Sequence, residues 1–284
     1  MSSKIAVAVI HGIGVQPADF ATNLIQSLVE RIRSTNAESI VIAPVHWSPV
    51  TQGVEDQLRA RIIPKSRASI RAVRHFMVDF LADAVAYQIT PFDRTLYDLI
   101  HAVFADTLRL LAQEAGADAP LVVMAHSLGT IIASNFLYDL ETDLKRPIIS
   151  QTVRERMGST PLERGETLAG FYTFGSPLAL WSLRYDRFGR PVIVPSPRLH
   201  LYHPNVVGEW VNYYDVDDPI AYPLTNLNDA YQQVVTEDRA VNVGGALSSW
   251  NPLSHMRYWS DADLLDEVAE RLLRLWWGAY GDGI

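Results

Sequence analysis

Apolar residues fall along the chain in two alternating patterns. Short unbroken apolar runs, of the kind a strand buried on both faces requires, occur at Ile5–Ile10 and 121–125, and less purely at 39–45, Leu168–Phe174, 210–216 and 240–243. Between them apolar residues return every three or four positions, the period of a helix with one buried face. The first such set is Phe20, Leu24, Ile25, Leu28 and Ile32, and the second is Leu96, Leu99, Ile100, Val103, Leu108 and Leu111. Ile131, Ile132, Ala133, Phe136 and Leu137 form a third, and Leu264, Leu265, Val268, Leu272 and Leu273 the last, with Trp276 and Trp277 expected to pack back on the body. Strand, helix and strand repeated in this way predict an α/β fold, with a mostly parallel central sheet and helices on both faces.

Residues 50–91 break the alternation. Ile70, Val73, Met77, Phe80, Leu81 and Ala84 line one face of a helical region that Pro91 ends, which reads as a helical cap or lid inserted into the sheet-forming pattern. A second, loop-rich insertion is expected at about 147–167. With no repeat, low-complexity tract or flexible linker, residues 1–284 read as a single domain. Between Arg59 and Arg74 the cap carries six basic residues and no acidic one. Such a face would suit peripheral contact with an anionic membrane, although a solvated cap helix is the simpler reading. Asp79, Asp83 and Tyr87 continue at helical spacing and suggest capping contacts only.

Composition narrows the classes. The 284 residues are 48% hydrophobic and 20% charged, the balance of an ordinary globular protein. With 24 basic and 32 acidic residues the net charge is −8, which argues against a grip on the phosphate backbone, so nucleic acid is not expected as a partner. The absence of cysteine removes disulfides, thiolate metal sites and cysteine nucleophiles together. No His-Glu-x-x-His or comparable ligand spacing is present, and no metal or other cofactor is expected. No run reaches the roughly 20 apolar residues of a membrane span, and residues 1–10 lead straight into His11-Gly12 without a secretory pattern, so the expected compartment is cytoplasmic.

The chemistry begins where the run 121–125 enters His126-Ser127-Leu128-Gly129-Thr130. A serine at a tight strand-to-helix turn is presented as a nucleophile, and the turn requires small residues two positions before and after it; Ala125 and Gly129 are both small. The alternative is a serine that merely caps a buried helix. A serine hydroxyl needs a base to take its proton and an acid to orient that base. Of eight histidines, His11 and His126 belong to short motifs, His46 follows an early strand, His75 and His101 fall on predicted helices, and His200 and His203 lie in a proline-rich stretch. His255 alone sits in a loop between the candidate last strand and the final helix, and is the expected base.

The acid should come from the end of a strand between Ser127 and His255, where Asp215, Asp217 and Asp218 compete. Asp218 precedes Pro219, which keeps it out of helical geometry and favours an extended turn holding the carboxylate outward; it is the first choice, then Asp215, then Asp217. An oxyanion needs backbone N–H donors. Leu128, just after the nucleophile, would supply one, and the turn Gly12-Ile13-Gly14 the other, from Ile13; Gly12 and His126 beside them are expected to meet the substrate. A phosphate-binding loop is the rival for that turn, weakened by the absence of Gly-Lys-Ser/Thr and of G-x-G-x-x-G.

His-Gly-Ile-Gly at 11–14, Ala-His-Ser-Leu-Gly-Thr at 125–130, Thr-Phe-Gly-Ser-Pro at 173–177, Asp-Pro-Ile-Ala at 218–221 and Ser-His at 254–255 together resemble the α/β-hydrolase superfamily. The chain order Ser, Asp, His matches it. Within it the chain is most similar to the lipase-like branch that includes GPI inositol-deacylase-like and DDHD-type lipase-like proteins, where an Asp-Pro-Val-Ala type motif carries the acid. The resemblance spans residues 5 to about 270 and departs at Ala125, where glycine is commoner, and in the two insertions. It implies a serine hydrolase cleaving carboxylic esters of small-molecule or lipid-like substrates through an acyl-enzyme. An acyltransferase or thioesterase would use the same parts, and a non-catalytic hydrolase-fold binding protein is the rival from another class.

Overall fold

In the run Ile-Ala-Val-Ala-Val-Ile of β1 (Ile5–Ile10) every residue is buried, as a strand covered on both faces requires. The computed structural model describes residues 3–33, 39–53, 84–90, 93–244 and 252–281. The cap expected at 50–91, with its basic stretch between Arg59 and Arg74, lies almost wholly outside the described residues. The other strands are β2 (Ile40–Val45), β3 (Leu121–His126), β4 (Leu168–Phe174), β5 (Glu209–Asp215) and β6 (Glu237–Val241). They form one sheet in the order β2-β1-β3-β4-β5-β6, and every neighbouring pair is parallel.

Alternate residues of each strand feed opposite faces. On one side Ala6, Ala8, Ile10, Val123, Ala125 and Phe171 pack with Ile100, Phe104, Leu108 and Leu111 of α2 (Thr95–Ala115) and with Phe136 and Leu140 of α3 (Leu128–Asp143). On the other, Val7, Val9, Val122, Met124, Phe174 and Tyr213 meet Leu24, Leu28 and Ile32 of α1 (Thr22–Arg33) and Leu265, Val268, Leu272 and Trp276 of α4 (Ala262–Tyr280). Trp276 packs back as expected, while Trp277 is half exposed. No helix among the described residues is long and apolar enough to cross a membrane.

Three elements differ from the sequence expectation. The α2 face is rotated, so that Leu99 points outward and His101 is buried; the imidazole Nε2 is 2.8 Å from Tyr87 Oη, and that partner makes a polar side chain acceptable inside. β6 begins at Glu237, three residues before the expected start, as an edge strand of charged residues. Phe20 precedes α1 instead of lying on its core face. The segment 147–167 holds one four-residue helix, Gln151–Arg154, followed by turns.

The chain steps from β1 outward to β2 and then back across to β3, so its direction reverses between β1 and β3. The register sets Ile10 beside Ala125, Ala125 beside Thr173, and Asp215 beside Val241. The carboxyl ends of these strands therefore share one edge, and the reversal between β1 and β3 is where a crevice opens in sheets of this kind.

Candidate active site

Ser127 stands between the last residue of β3 and the first of α3, with φ 53° and ψ −130°. Positive φ in a residue with a side chain is strained and persists only where the surroundings impose it. Its amide donates to the Phe174 carbonyl (3.0 Å), and Thr130 Oγ1 donates to its carbonyl (2.7 Å) while bonding Ser176 Oγ (2.8 Å). Gly129 packs against β1 so closely that a Cβ there would collide with the His11 carbonyl oxygen. On the opposite side a Cβ on Gly12 would come within 2.6 Å of Ser127 Cβ. The two glycines thus let the turn after β1 and the turn after β3 close on one another.

The Ser127 side chain makes no cap hydrogen bond to its helix. Its Oγ instead lies 2.7 Å from His255 Nε2, and His255 Nδ1 lies 2.8 Å from Asp218 Oδ2. A carboxylate only accepts, so Nδ1 carries the proton and Nε2 is left to accept from the serine hydroxyl. All three side chains are buried. Burial works against ionising Asp218, but the His255 contact, the Ile220 amide on Oδ1 (3.1 Å) and the Tyr258 hydroxyl on Oδ2 (2.9 Å) prevail and hold its carboxyl below the usual range.

The other two aspartates lie elsewhere. Asp215 accepts from the amides of Asp217 (2.8 Å) and Val243 (2.7 Å) and so ties the end of β5 to the end of β6; Asp217 is exposed. Tyr258, which sequence reasoning did not single out, accepts from the Asp215 amide (2.8 Å) and donates to Asp218. A tyrosine shortly after the histidine was the available signal, but its role depends on contacts about 40 residues away in the chain.

His126 also joins the two sides of the site. Its Nε2 donates to the His255 carbonyl (2.7 Å). Burial and the neighbouring His255 push its pKa down to about 3. His11 is pushed down to about 3 as well, by burial against the bond it makes to the Gly12 carbonyl, with His46 adding to the fall. Its ring stacks on Trp47 at 5.0 Å and 11°. Both rings are therefore neutral at ordinary pH.

Ile13 is nearly buried beside Gly12, and no backbone hydrogen bond among the described residues occupies its amide. The Leu128 amide, at the first position of α3, has no acceptor within the helix. A cavity of about 100 Å³ opens onto this group, lined by His11, Gly12, Ile13, Gln16 and Phe20 from the β1 side and by His126, Ser127, His255, Met256 and Trp259 from the other. Every residue that the sequence nominates, Gly12, Ile13, His126, Ser127, Leu128, Asp218 and His255, belongs to this one neighbourhood. Of the remaining histidines, His46 bonds the Gln16 carbonyl (2.7 Å) and His203 the Asp118 carbonyl (2.6 Å), His200 is exposed, and His75 lies outside the described residues. No group of three or more His, Asp or Glu side chains suited to a metal ion occurs among the described residues. Comparison with models of known protein families finds no match for the chain, and comparison with curated proteins finds none.

Proposed function

We propose that this chain is a serine hydrolase of the α/β-hydrolase type, cleaving carboxylic esters through an acyl-enzyme. The observation that carries the reading is the unbroken line from Ser127 Oγ through the His255 ring to Asp218, with contacts of 2.7 and 2.8 Å. A serine needs such a line to act as a nucleophile at neutral pH. The strained serine backbone at the end of an interior strand and its place at the sheet's reversal point support the same reading.

Ser127 Oγ attacks the ester carbonyl carbon as its proton passes to His255 Nε2. Asp218 keeps the proton on Nδ1 and stabilises the imidazolium that forms. The carbonyl oxygen becomes an oxyanion and accepts from the amides of Ile13 and Leu128. Collapse expels the alcohol, which takes the proton from His255, and leaves Ser127 acylated. A water molecule then gives a proton to the same nitrogen and attacks the acyl carbon, releasing the acid and restoring the hydroxyl.

Turnover of p-nitrophenyl esters together with labelling by a fluorophosphonate probe tests this. The native chain is expected to do both, and Ser127→Ala neither, with its unfolding midpoint unchanged. A native chain that is folded, hydrolyses no ester and takes no label would remove the reading.

A further inference from the structure

The cavity that opens onto Ser127 is small and has an aromatic wall. Its volume is about 100 Å³; since a cavity of about 150 Å³ accommodates benzene, this one accommodates an acyl chain of roughly four carbons. Two aromatic side chains from separate parts of the chain come together in its lining. Phe20 comes from the segment before α1, where its amide donates to the Pro17 carbonyl (3.1 Å). Trp259 comes from the 3-10 turn Tyr258–Ser260 that follows His255. The two rings stack at 6.1 Å and 25°. His11 meets the Phe20 edge at 4.7 Å and His126 meets Trp259 at 5.3 Å, so one aromatic wall runs from the oxyanion turn to the segment bearing the base.

None of the described lining residues is Asp, Glu, Lys or Arg. A charged acyl group entering it would lose hydration and find no counter-ion among these residues. Resting on the ester-hydrolase reading above, we propose that the enzyme acts on esters of short, uncharged acyl groups of up to about four carbons, and that Phe20 and Trp259 set this limit. Pockets discriminate steeply on this side, because a methylene that does not fit must displace side chains in a packed wall.

The test is a profile of kcat/KM against acyl length, from p-nitrophenyl acetate to palmitate, with the p-nitrophenyl half-ester of succinate as a charged four-carbon acyl group. A parallel series of acetate esters, from methyl to octyl, varies the alcohol instead. The native enzyme is expected to peak at four carbons or fewer, to fall at least tenfold by octanoate, and to cleave the succinate half-ester at least tenfold more slowly than the butyrate ester. Phe20→Ala, the milder Phe20→Leu, and Trp259→Leu each open the wall. Each is expected to raise the octanoate-to-butyrate ratio severalfold or more, a gain that mere loss of folding does not produce. A native optimum at eight carbons or longer overturns the proposal, as does a profile that none of the three variants moves. A shift confined to the alcohol series overturns the assignment of the cavity to the acyl group. Labelling by the fluorophosphonate without turnover of any ester in the series also overturns the proposal, while leaving the activated serine standing. Absence of both labelling and turnover removes the hydrolase reading itself.

Discussion

The two sides of the candidate site, that of the proposed nucleophile and that of the proposed acid and base, are held by different physics. On the nucleophile side Ser127 is fixed by backbone sterics: two parallel strands, a helix starting at once, and glycines at 12 and 129 that admit no side chain. On the acid and base side the crowding is against side chains and not backbone, a Cβ on Gly175 coming within 2.8 Å of the Tyr258 ring and 3.1 Å of the His255 ring. Asp218 projects from the turn after β5 and His255 from the 3-10 helix Pro252–Met256, and they are aimed by hydrogen bonds from Tyr258, His126 and the Ile220 amide. A steric device is all-or-none, because a clash between backbone atoms has no small version. A hydrogen-bonded device is graded, since each bond contributes its own share.

The comparison can be broken most directly at Asp218. Asp218→Asn keeps the shape but removes the charge and favours the wrong imidazole tautomer, and kcat is expected to fall roughly ten-thousand-fold while folding is retained. A loss below tenfold in ester turnover would mean that the acid is not held as described. Next is Gly129→Ala, where the added methyl meets the β1 backbone. Destabilisation of about 3 kcal/mol is expected, together with loss of labelling, and denaturant unfolding measures it. A stable, fully labelled variant would show that sterics do not set the turn at Ser127.

The pH dependence of stability sharpens the role of His11 and His126, with the buried His101, whose pKa burial also lowers, acting in the same sense. His11 and His126 are pushed down to about 3 in the fold and titrate near 6.5 when unfolded. Between those values the unfolded chain binds more protons, so stability is greatest above about pH 6.5 and declines as pH falls toward 3. Each histidine contributes a slope of up to roughly 1.4 kcal/mol per pH unit. Asp218, held low by its partners, adds to the loss at the acidic end as it takes up a proton. A thermal midpoint recorded from pH 7 to 4 should fall in this way, and His126→Gln should flatten it by about one proton. The smallest effect is expected for Tyr258→Phe, with kcat about tenfold lower and KM unchanged. A parallel fall in active-site titre would instead point to a structural role.

How much of this was legible in the sequence follows the same division. Ile5–Ile10 and 121–125 are apolar because interior parallel strands are buried on both faces, and the small residues around Ser127 leave a local trace of the turn they permit. Asp218 was favoured over its neighbours through Pro219, again a local signal. β6 left almost none. As an edge strand it is paired on one side, and its polar residues serve side-chain contacts: Asp238 accepts from the Leu224 and Thr225 amides and from Asn212 Nδ2, while Glu237 pairs with Arg271. Tyr258 was missed, and Phe20 was placed on the core face of α1, for a related reason. Each reads as one more apolar or aromatic position, and only contacts made across the fold turn it toward Asp218 or the cavity.

That no described lining residue is Asp, Glu, Lys or Arg bears on how the proposed catalytic cycle would end. Hydrolysis converts a neutral ester into a carboxylate, which is ionised at neutral pH. On the proposed reading the product would leave a cavity that offers it no Lys or Arg among the described residues, into the field of a chain whose net charge is −8. The proposed reaction would therefore change its own ligand from a neutral group the described walls accommodate into an anion they do not, so that release would be driven by the chemistry just completed and accumulating acid would compete only weakly for the site.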